Sequence, residues 1–86
     1  MKQISPRERT YVARISWVKS KECFAMTDVV EVGKVTFSFN PVDSVWLESD
    51  LPIKGAKVVL SNLVSMDGGW RALKARYFRP EDEGSQ

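Results

Sequence analysis

Histidine is missing from this 86-residue sequence, and cysteine occurs once, as Cys23. Histidine is the commonest general base and a common metal ligand, so its absence removes the usual catalytic and metal-binding group. A single cysteine cannot form an internal disulfide or a cysteine-based zinc site. The glycine-rich phosphate-binding motifs and the HExxH motif of metalloproteases do not occur either. We therefore predict a protein that is not an enzyme and that uses no metal or cofactor.

Long apolar segments are also missing. No segment approaches the roughly 20 apolar residues that a helix needs to cross a bilayer. Residues 1–15 include Arg7, Glu8, Arg9 and Arg14 and lack the apolar stretch of a signal peptide. We therefore expect no membrane span, no signal peptide and a cytoplasmic location.

The sequence does contain short segments of the β type. Alternating apolar residues, rich in β-branched and aromatic types, predict strands at residues 10–18, 23–30, 35–39, 57–64 and 70–78. Polar residues 19–22 form the expected turn of a first hairpin, and Asp67-Gly68-Gly69 is the strongest turn signal, between strands four and five. These elements predict an all-β fold: a small five-stranded Greek-key barrel of the OB type.

The remaining segments are expected to be irregular. Residues 1–9 are predicted to be an N-terminal arm, 10–80 the barrel and 81–86 a flexible, disordered acidic tail. Between strands three and four, a short helical turn is expected near residues 43–47, with Asp43 or Ser44 as its cap. Trp46 is expected to plug an end of the barrel.

Several segments resemble the cold-shock domains. Residues 15–19, Ile-Ser-Trp-Val-Lys, resemble the first strand of that family, typically Val-Lys-Trp-Phe-Asn. Residues 22–27 fall on its first RNA-binding motif, Lys-Gly-Phe-Gly-Phe-Ile, and residues 37–40 resemble its second, Val-Phe-Val-His-Phe. Residues 55–58 and 68–72 resemble the segments that open strand four and precede the end of the last strand. The resemblance covers roughly residues 11–80 and implies the OB-type barrel.

The resemblance also implies a surface on which bases stack. In this family the two motifs form an aromatic platform for single-stranded RNA or DNA. By position, the platform here would consist of Trp17, Phe24, Met26, Phe37 and Phe39. Lys19 and Lys21 would contact the phosphates. The sequence departs from the motifs at several positions: Glu22, Cys23 and Ala25 replace basic and glycine residues, Met26 a phenylalanine and Phe39 a histidine. Each of these aromatic residues is also a candidate for the core.

Positive charge concentrates in the fifth predicted strand. Residues 1–80 hold thirteen basic and eight acidic residues, a formal charge of +5, whereas the whole chain is +2. Arg71, Lys74, Arg76 and Arg79 cluster on this basic strand, which could follow a phosphate backbone or be an ordinary solvated face. The acidic residues near the C-terminus could fold back over this strand.

Two classes of function follow from these features. The first is a non-catalytic protein that binds single-stranded RNA or DNA by aromatic stacking and basic phosphate contacts, with no membrane partner. The alternative is a protein-interaction module on the same barrel, a small regulator or inhibitor that docks on a larger nucleic-acid-processing protein. The basic fifth strand and Trp17 favour the first class, and the departures from the first motif favour the second.

Overall fold

Five strands form a closed barrel in the computed structural model, which describes residues 10–83. The strands are β1 (Thr10–Lys19), β2 (Phe24–Val29), β3 (Gly33–Ser38), β4 (Lys57–Met66) and β5 (Gly69–Tyr77). Their order around the barrel is β1-β2-β3-β5-β4, and β4 pairs with β1 to close it. All neighbours are antiparallel except β3 and β5, which are parallel. The predicted all-β barrel of the OB type is confirmed, with β4 and β5 joined across the Asp67-Gly68 turn.

The interior is filled by the side chains that alternate inward along each strand. In a strand, successive side chains point to opposite faces, so every second residue enters the core. β3 shows the pattern clearly, since Val35 and Phe37 are buried between partly exposed Thr36 and Ser38. The largest fully buried side chains are Phe37, Ile15, Leu60, Leu63, Val29, Val35, Val58 and Thr27. Thr27 is tolerated there because its hydroxyl donates to the Val35 carbonyl, at 2.9 Å.

A β-bulge in β1 changes which side chains face outward. Tyr11 and Ile15 are buried in the first part of the strand. The pairing with β2 then shifts by one residue between Ile15 and Trp17. Without that shift, Trp17 would follow Ile15 into the core. With it, the Trp17 side chain is 56% exposed on the outer surface.

In the hairpin of β4 and β5, the alternation of buried and exposed side chains is also interrupted. Asn62 has a φ of 56°, in the left-handed region, at the middle of β4. Asn62 and Leu73 both face solvent, while Leu60 and Leu63 are buried three residues apart. The outward face of β5 therefore changes partway along the strand, which strict alternation does not predict.

A single 3₁₀ turn, Pro41–Asp43, follows β3. Its N-cap is Asn40, whose Oδ1 accepts a hydrogen bond from the Val42 N–H at 3.0 Å. The prediction that Asp43 or Ser44 would cap this turn was wrong, because Pro41 fixes the helical φ of the first residue and makes Asn40 the capping position. Ser44 instead ends the turn, with a φ of 57°.

Trp46 packs against the core, as expected. Its ring stacks on Phe37 with 5.3 Å between centroids and meets the Tyr77 ring edge-on at 4.9 Å. The indole N–H donates to the Asp50 carbonyl at 2.6 Å, so its polar atom is satisfied. The backbone beside Trp46 pairs with Ala75, so this connection covers the edge of β5 beyond the part that contacts β3.

A one-turn helix, α1 (Pro80–Glu83), follows β5. It contains Glu81, Asp82 and Glu83, three of the residues predicted to form a flexible tail. The rest of that segment and the predicted arm at 1–9 lie outside the described residues, so the flexible tail stays a prediction. Within residues 10–83, no helix is long and apolar enough to span a membrane.

The burial of the two phenylalanines predicts different costs on truncation. Phe37→Ala should reduce the free energy of unfolding by about 3–5 kcal/mol, because it removes a fully buried ring and the partner of Trp46. Phe24→Ala should cost less than half as much, since Phe24 is only half-buried. Guanidinium unfolding followed by circular dichroism measures both, and equal losses would contradict this assignment of core and surface.

Candidate nucleic-acid interface

One row of side chains crosses the outer face of the barrel. Trp17 of β1 is paired with Met26 of β2, Met26 with Thr36 of β3, and Thr36 with Arg71 of β5. Trp17 and Arg71 are exposed, and Met26 and Thr36 are half-buried. Since neighbouring strands lie about 4.7–4.9 Å apart, the row spans about 14 Å. An exposed indole at one end and a guanidinium at the other are thus separated by one thioether side chain, Met26, and one hydroxyl side chain, Thr36.

A second row lies beside the first, toward the β1–β2 turn. Lys19 is paired with Phe24, and Phe24 with Ser38. The Lys19 ammonium lies 5.8 Å from the centroid of the Phe24 ring, within the range of a cation–π contact. Lys21 is exposed in the adjoining turn. The structure therefore places Trp17, Phe24 and Met26 on one outer face, with Lys19 and Lys21 at its edge.

Phe37 and Phe39 do not belong to this surface. Phe37 is 0% exposed and Phe39 is 7% exposed, and both lie in the core. Their predicted role in base stacking was wrong, because β3 turns its aromatic face inward to fill the barrel and its polar face, Thr36 and Ser38, outward. The platform is therefore smaller than the one the resemblance implies.

The basic residues of β5 are divided between two faces. Arg71 is paired with Thr36 and ends the aromatic row. Lys74 is paired with Ser61, and Arg76 with Val59, on the wall made by β4 and β1. Of the predicted basic strand, only Arg71 adjoins Trp17, Phe24 and Met26 through the strand register.

Arg76 is further occupied by the acidic residue Asp82. Two guanidinium nitrogens of Arg76 donate to the two carboxylate oxygens of Asp82, each at 2.8 Å. The hydrogen bond from Arg76, together with one from the Arg79 backbone N–H, lowers the pKa of Asp82 far below its usual range. The same hydrogen bond raises the pKa of Arg76. Arg79 in turn donates to Glu48 at 2.8 Å, so both of these arginines are paired with a carboxylate.

A groove adjoins the aromatic row on the side of the β4–β5 turn. It has a volume of about 310 Å³, and its walls include Phe24, Met26, Lys34, Thr36, Met66 and Asp67. The residues predicted from the sequence do not include Lys34, Thr36, Met66 or Asp67. The alternation of β3 could have indicated that Thr36 faces outward, but no local pattern indicates that the distant turn lies beside β2.

Tyr77 is a partly buried ionisable group whose ring packs against Trp46. Burial raises its pKa, and the carboxylates of Asp50 and Glu48 raise it further. Its hydroxyl donates to the Leu51 carbonyl at 2.7 Å. It therefore acts in packing beside Trp46 rather than at the aromatic row.

Comparison with models of known protein families gives no match for this chain. A search of the curated proteins likewise gives no significant match. In the part of the chain that the structure describes, no three residues of the metal-ligating types are grouped closely enough to hold a metal ion.

The Arg76–Asp82 contact predicts a specific titration. Because the folded-state pKa of Asp82 is lowered, its contribution to stability should be complete above about pH 4, the unfolded value, and should be lost as the pH falls below it. Arg76→Gln should raise the pKa of Asp82, measured by NMR titration of the carboxyl carbon. Lys74→Gln removes a charge from the same strand without touching Asp82, and an equal rise in that variant would contradict the assigned cause.

Proposed function

We propose that this protein binds single-stranded RNA or DNA, without catalysis, on the outer face of β1, β2 and β3. The observation that carries the proposal is the row from Trp17 through Met26 and Thr36 to Arg71. It combines an exposed aromatic ring, an apolar surface and a cation within the width of four strands. Single-stranded nucleic acids are bound by this combination of stacking surface and basic groove.

The stacking surface consists of Trp17 on β1 and Phe24 on β2. Met26, also on β2, lies beside Trp17 in the strand register. Trp17 offers a mostly exposed ring to a base, and Phe24 offers a half-buried ring held beside Lys19. Stacking on such rings is worth about 1–3 kcal/mol per base and depends little on the base's identity. Met26 adds a polarisable side chain that adapts to different bases.

Phosphate contacts come from basic residues around the rings. Lys19 and Lys21 lie at the β1–β2 turn, Lys34 lies on β3, and Arg71 lies on β5. None of these four forms an ion pair with another described residue. Each phosphate that they neutralise should contribute a slope of about −0.7 to the dependence of log K on log salt.

The backbone at Cys23 is consistent with the resemblance to the cold-shock motif. Cys23 stands where that motif has its first glycine, and its φ of 59° lies in the left-handed region that glycine adopts most readily. The Cys23 carbonyl accepts a hydrogen bond from the Phe39 N–H at 2.8 Å, which fixes this turn against β3. Phe24 is thereby directed to the outer face immediately after the turn.

A second candidate function is supported by a different surface. The connection between β3 and β4 exposes four large apolar side chains, Val42, Leu47, Leu51 and Ile53. Contiguous exposed apolar patches are a feature of protein-binding surfaces, and these side chains belong to one short connection. On this reading the protein is an interaction module or regulator, and its partner would contact this connection rather than the aromatic row.

Substitutions on the aromatic row test the first proposal. Trp17→Ala and Phe24→Ala should each weaken binding of a labelled single-stranded oligonucleotide by about 1–3 kcal/mol at low salt. Val12→Ala is the matched control, because Val12 is also on β1 and is 48% exposed, but on the wall that pairs with β4. Fluorescence anisotropy measures affinity, and quenching of tryptophan emission that disappears in Trp17→Phe identifies the stacked ring.

Loss of affinity in Val12→Ala equal to that in Trp17→Ala would contradict the location of the site. Absence of binding by the unaltered protein at low salt would favour the interaction module. In that case Leu51→Ala and Ile53→Ala should reduce recovery of a protein partner, whereas Trp17→Ala should not.

The acidic C-terminal segment should weaken binding to polyanions. Deleting residues 81–86 removes Glu81, Asp82 and Glu83 and frees Arg76, so affinity for oligonucleotides should rise at low salt. The gain should fade as salt screens the charges, since the screening length is about 8 Å at 0.15 M. Asp82→Asn releases Arg76 but keeps Glu81 and Glu83. Its affinity therefore separates the effect of freeing Arg76 from the effect of removing the other two carboxylates. Equal affinity of full-length and truncated proteins at low salt would contradict the effect.

A further inference from the structure

We propose that the groove beside the aromatic row binds one base of a single strand and that Asp67 makes this site prefer cytosine to uracil. The inference rests on the proposed function and adds the class of base that the site selects. The groove lies between the outer face of β2 and β3 and the turn that joins β4 to β5.

The groove is continuous with the stacking surface. Phe24, Met26 and Thr36 belong both to the crossing rows of side chains and to the groove wall. A single-stranded nucleic acid whose bases stack on Trp17 and Phe24 therefore reaches the groove with its next base. The volume of about 310 Å³ is at the lower end of the range for small-ligand pockets, which suits one base rather than a larger ligand.

The walls of the groove match the faces of a base. Phe24 and Met26 form one apolar side, and Met66 extends it from the turn. Aromatic and thioether side chains both make favourable contacts with flat, polarisable rings. Lys34, on β3 at the groove wall, supplies a cation for the adjacent phosphate.

Asp67 gives the groove its chemical preference. Its side chain makes no hydrogen bond or ion pair with any residue between 10 and 83. An ionised carboxylate only accepts hydrogen bonds. Cytosine carries an exocyclic amino group at the ring position where uracil carries a carbonyl oxygen. A carboxylate that faces this position accepts a hydrogen bond from cytosine and repels the uracil oxygen.

Gly69 keeps β5 close to β3 at the base of this groove. A Cβ at Gly69 would lie 2.8 Å from the Lys34 carbonyl oxygen, which is too close for any side chain. The absence of a side chain there lets the turn approach β3, and Asp67 of the turn and Lys34 of β3 both line the groove. The turn and β3 thus form opposite sides of one site.

Paired titrations of six-nucleotide cytidine and uridine RNAs at neutral pH and low salt test the inference. The unaltered protein should bind the cytidine oligomer about five- to tenfold more tightly, the lower part of the range for a specific base contact. Asp67→Asn should bring the two affinities to within about twofold, because an amide both donates and accepts. Asn-Gly suits the same hairpin turn as Asp-Gly, so this variant should fold normally, as thermal unfolding will show.

Two control variants separate the preference for cytidine over uridine from a general effect of charge on affinity. Asp28→Asn removes a carboxylate next to Lys34 in the β2–β3 register but outside the groove, and should strengthen binding of both oligomers without changing their ratio. Lys34→Gln should weaken both without changing the ratio. These comparisons between variants cancel differences in the intrinsic flexibility of the two RNAs.

A cytidine preference that persists in Asp67→Asn, or that is absent from the unaltered protein, would overturn this inference and leave the proposed function standing. Unchanged affinity in Lys34→Gln would exclude the groove from the binding path. Binding of neither oligomer by the unaltered protein would overturn the proposed function itself, and this inference with it.

Discussion

The structure depends on filling the barrel interior around Phe37. This ring is fully buried, and it is stacked on Trp46, which in turn meets Tyr77. A five-stranded barrel in a short chain has few inward positions, so loss of one large ring leaves a cavity that its neighbours cannot fill. The need for interior volume therefore decides which aromatic residues remain available at the surface. Phe37 and Phe39 fill the core, and Trp17 and Phe24 are left outside.

The bulge in β1 allows one strand to supply side chains both to the core and to the outer aromatic surface. Tyr11, Ala13 and Ile15 fill the core from the first part of the strand, and Trp17 faces outward from the second. Bulges are common near functional sites because they redirect a side chain without breaking the sheet. Ser16, at the shift, donates its hydroxyl to the Met26 carbonyl at 3.2 Å and so links the bulged segment to β2. Trp17 and Met26 are thereby held side by side.

The fold could be predicted from the sequence because its signals are local. Alternation in β3 and the Asp67-Gly68 turn identify strands and a hairpin without knowledge of their partners. The side of the sheet on which an aromatic residue lies is not local, since it depends on whether the interior needs its volume. Phe37 and Phe39 were for that reason assigned to the wrong face. The β4–β5 turn beside β2 could not be predicted either, because it arises from closure of the barrel.

The position of charge matters more here than its total. The chain carries a formal charge of only +2. Two of its arginines, Arg76 and Arg79, are held by Asp82 and Glu48, which reduces their attraction for a polyanion. Lys19, Lys21, Lys34 and Arg71 form no ion pair among the described residues, and they surround the exposed rings. Because salt screening limits electrostatic attraction to about a Debye length, a nucleic-acid strand responds to these four nearby cations rather than to the net charge of the whole protein. Pairing of Arg76 and Arg79 with carboxylates therefore leaves Lys19, Lys21, Lys34 and Arg71 as the cations that lie around the aromatic row without an ion pair among the described residues.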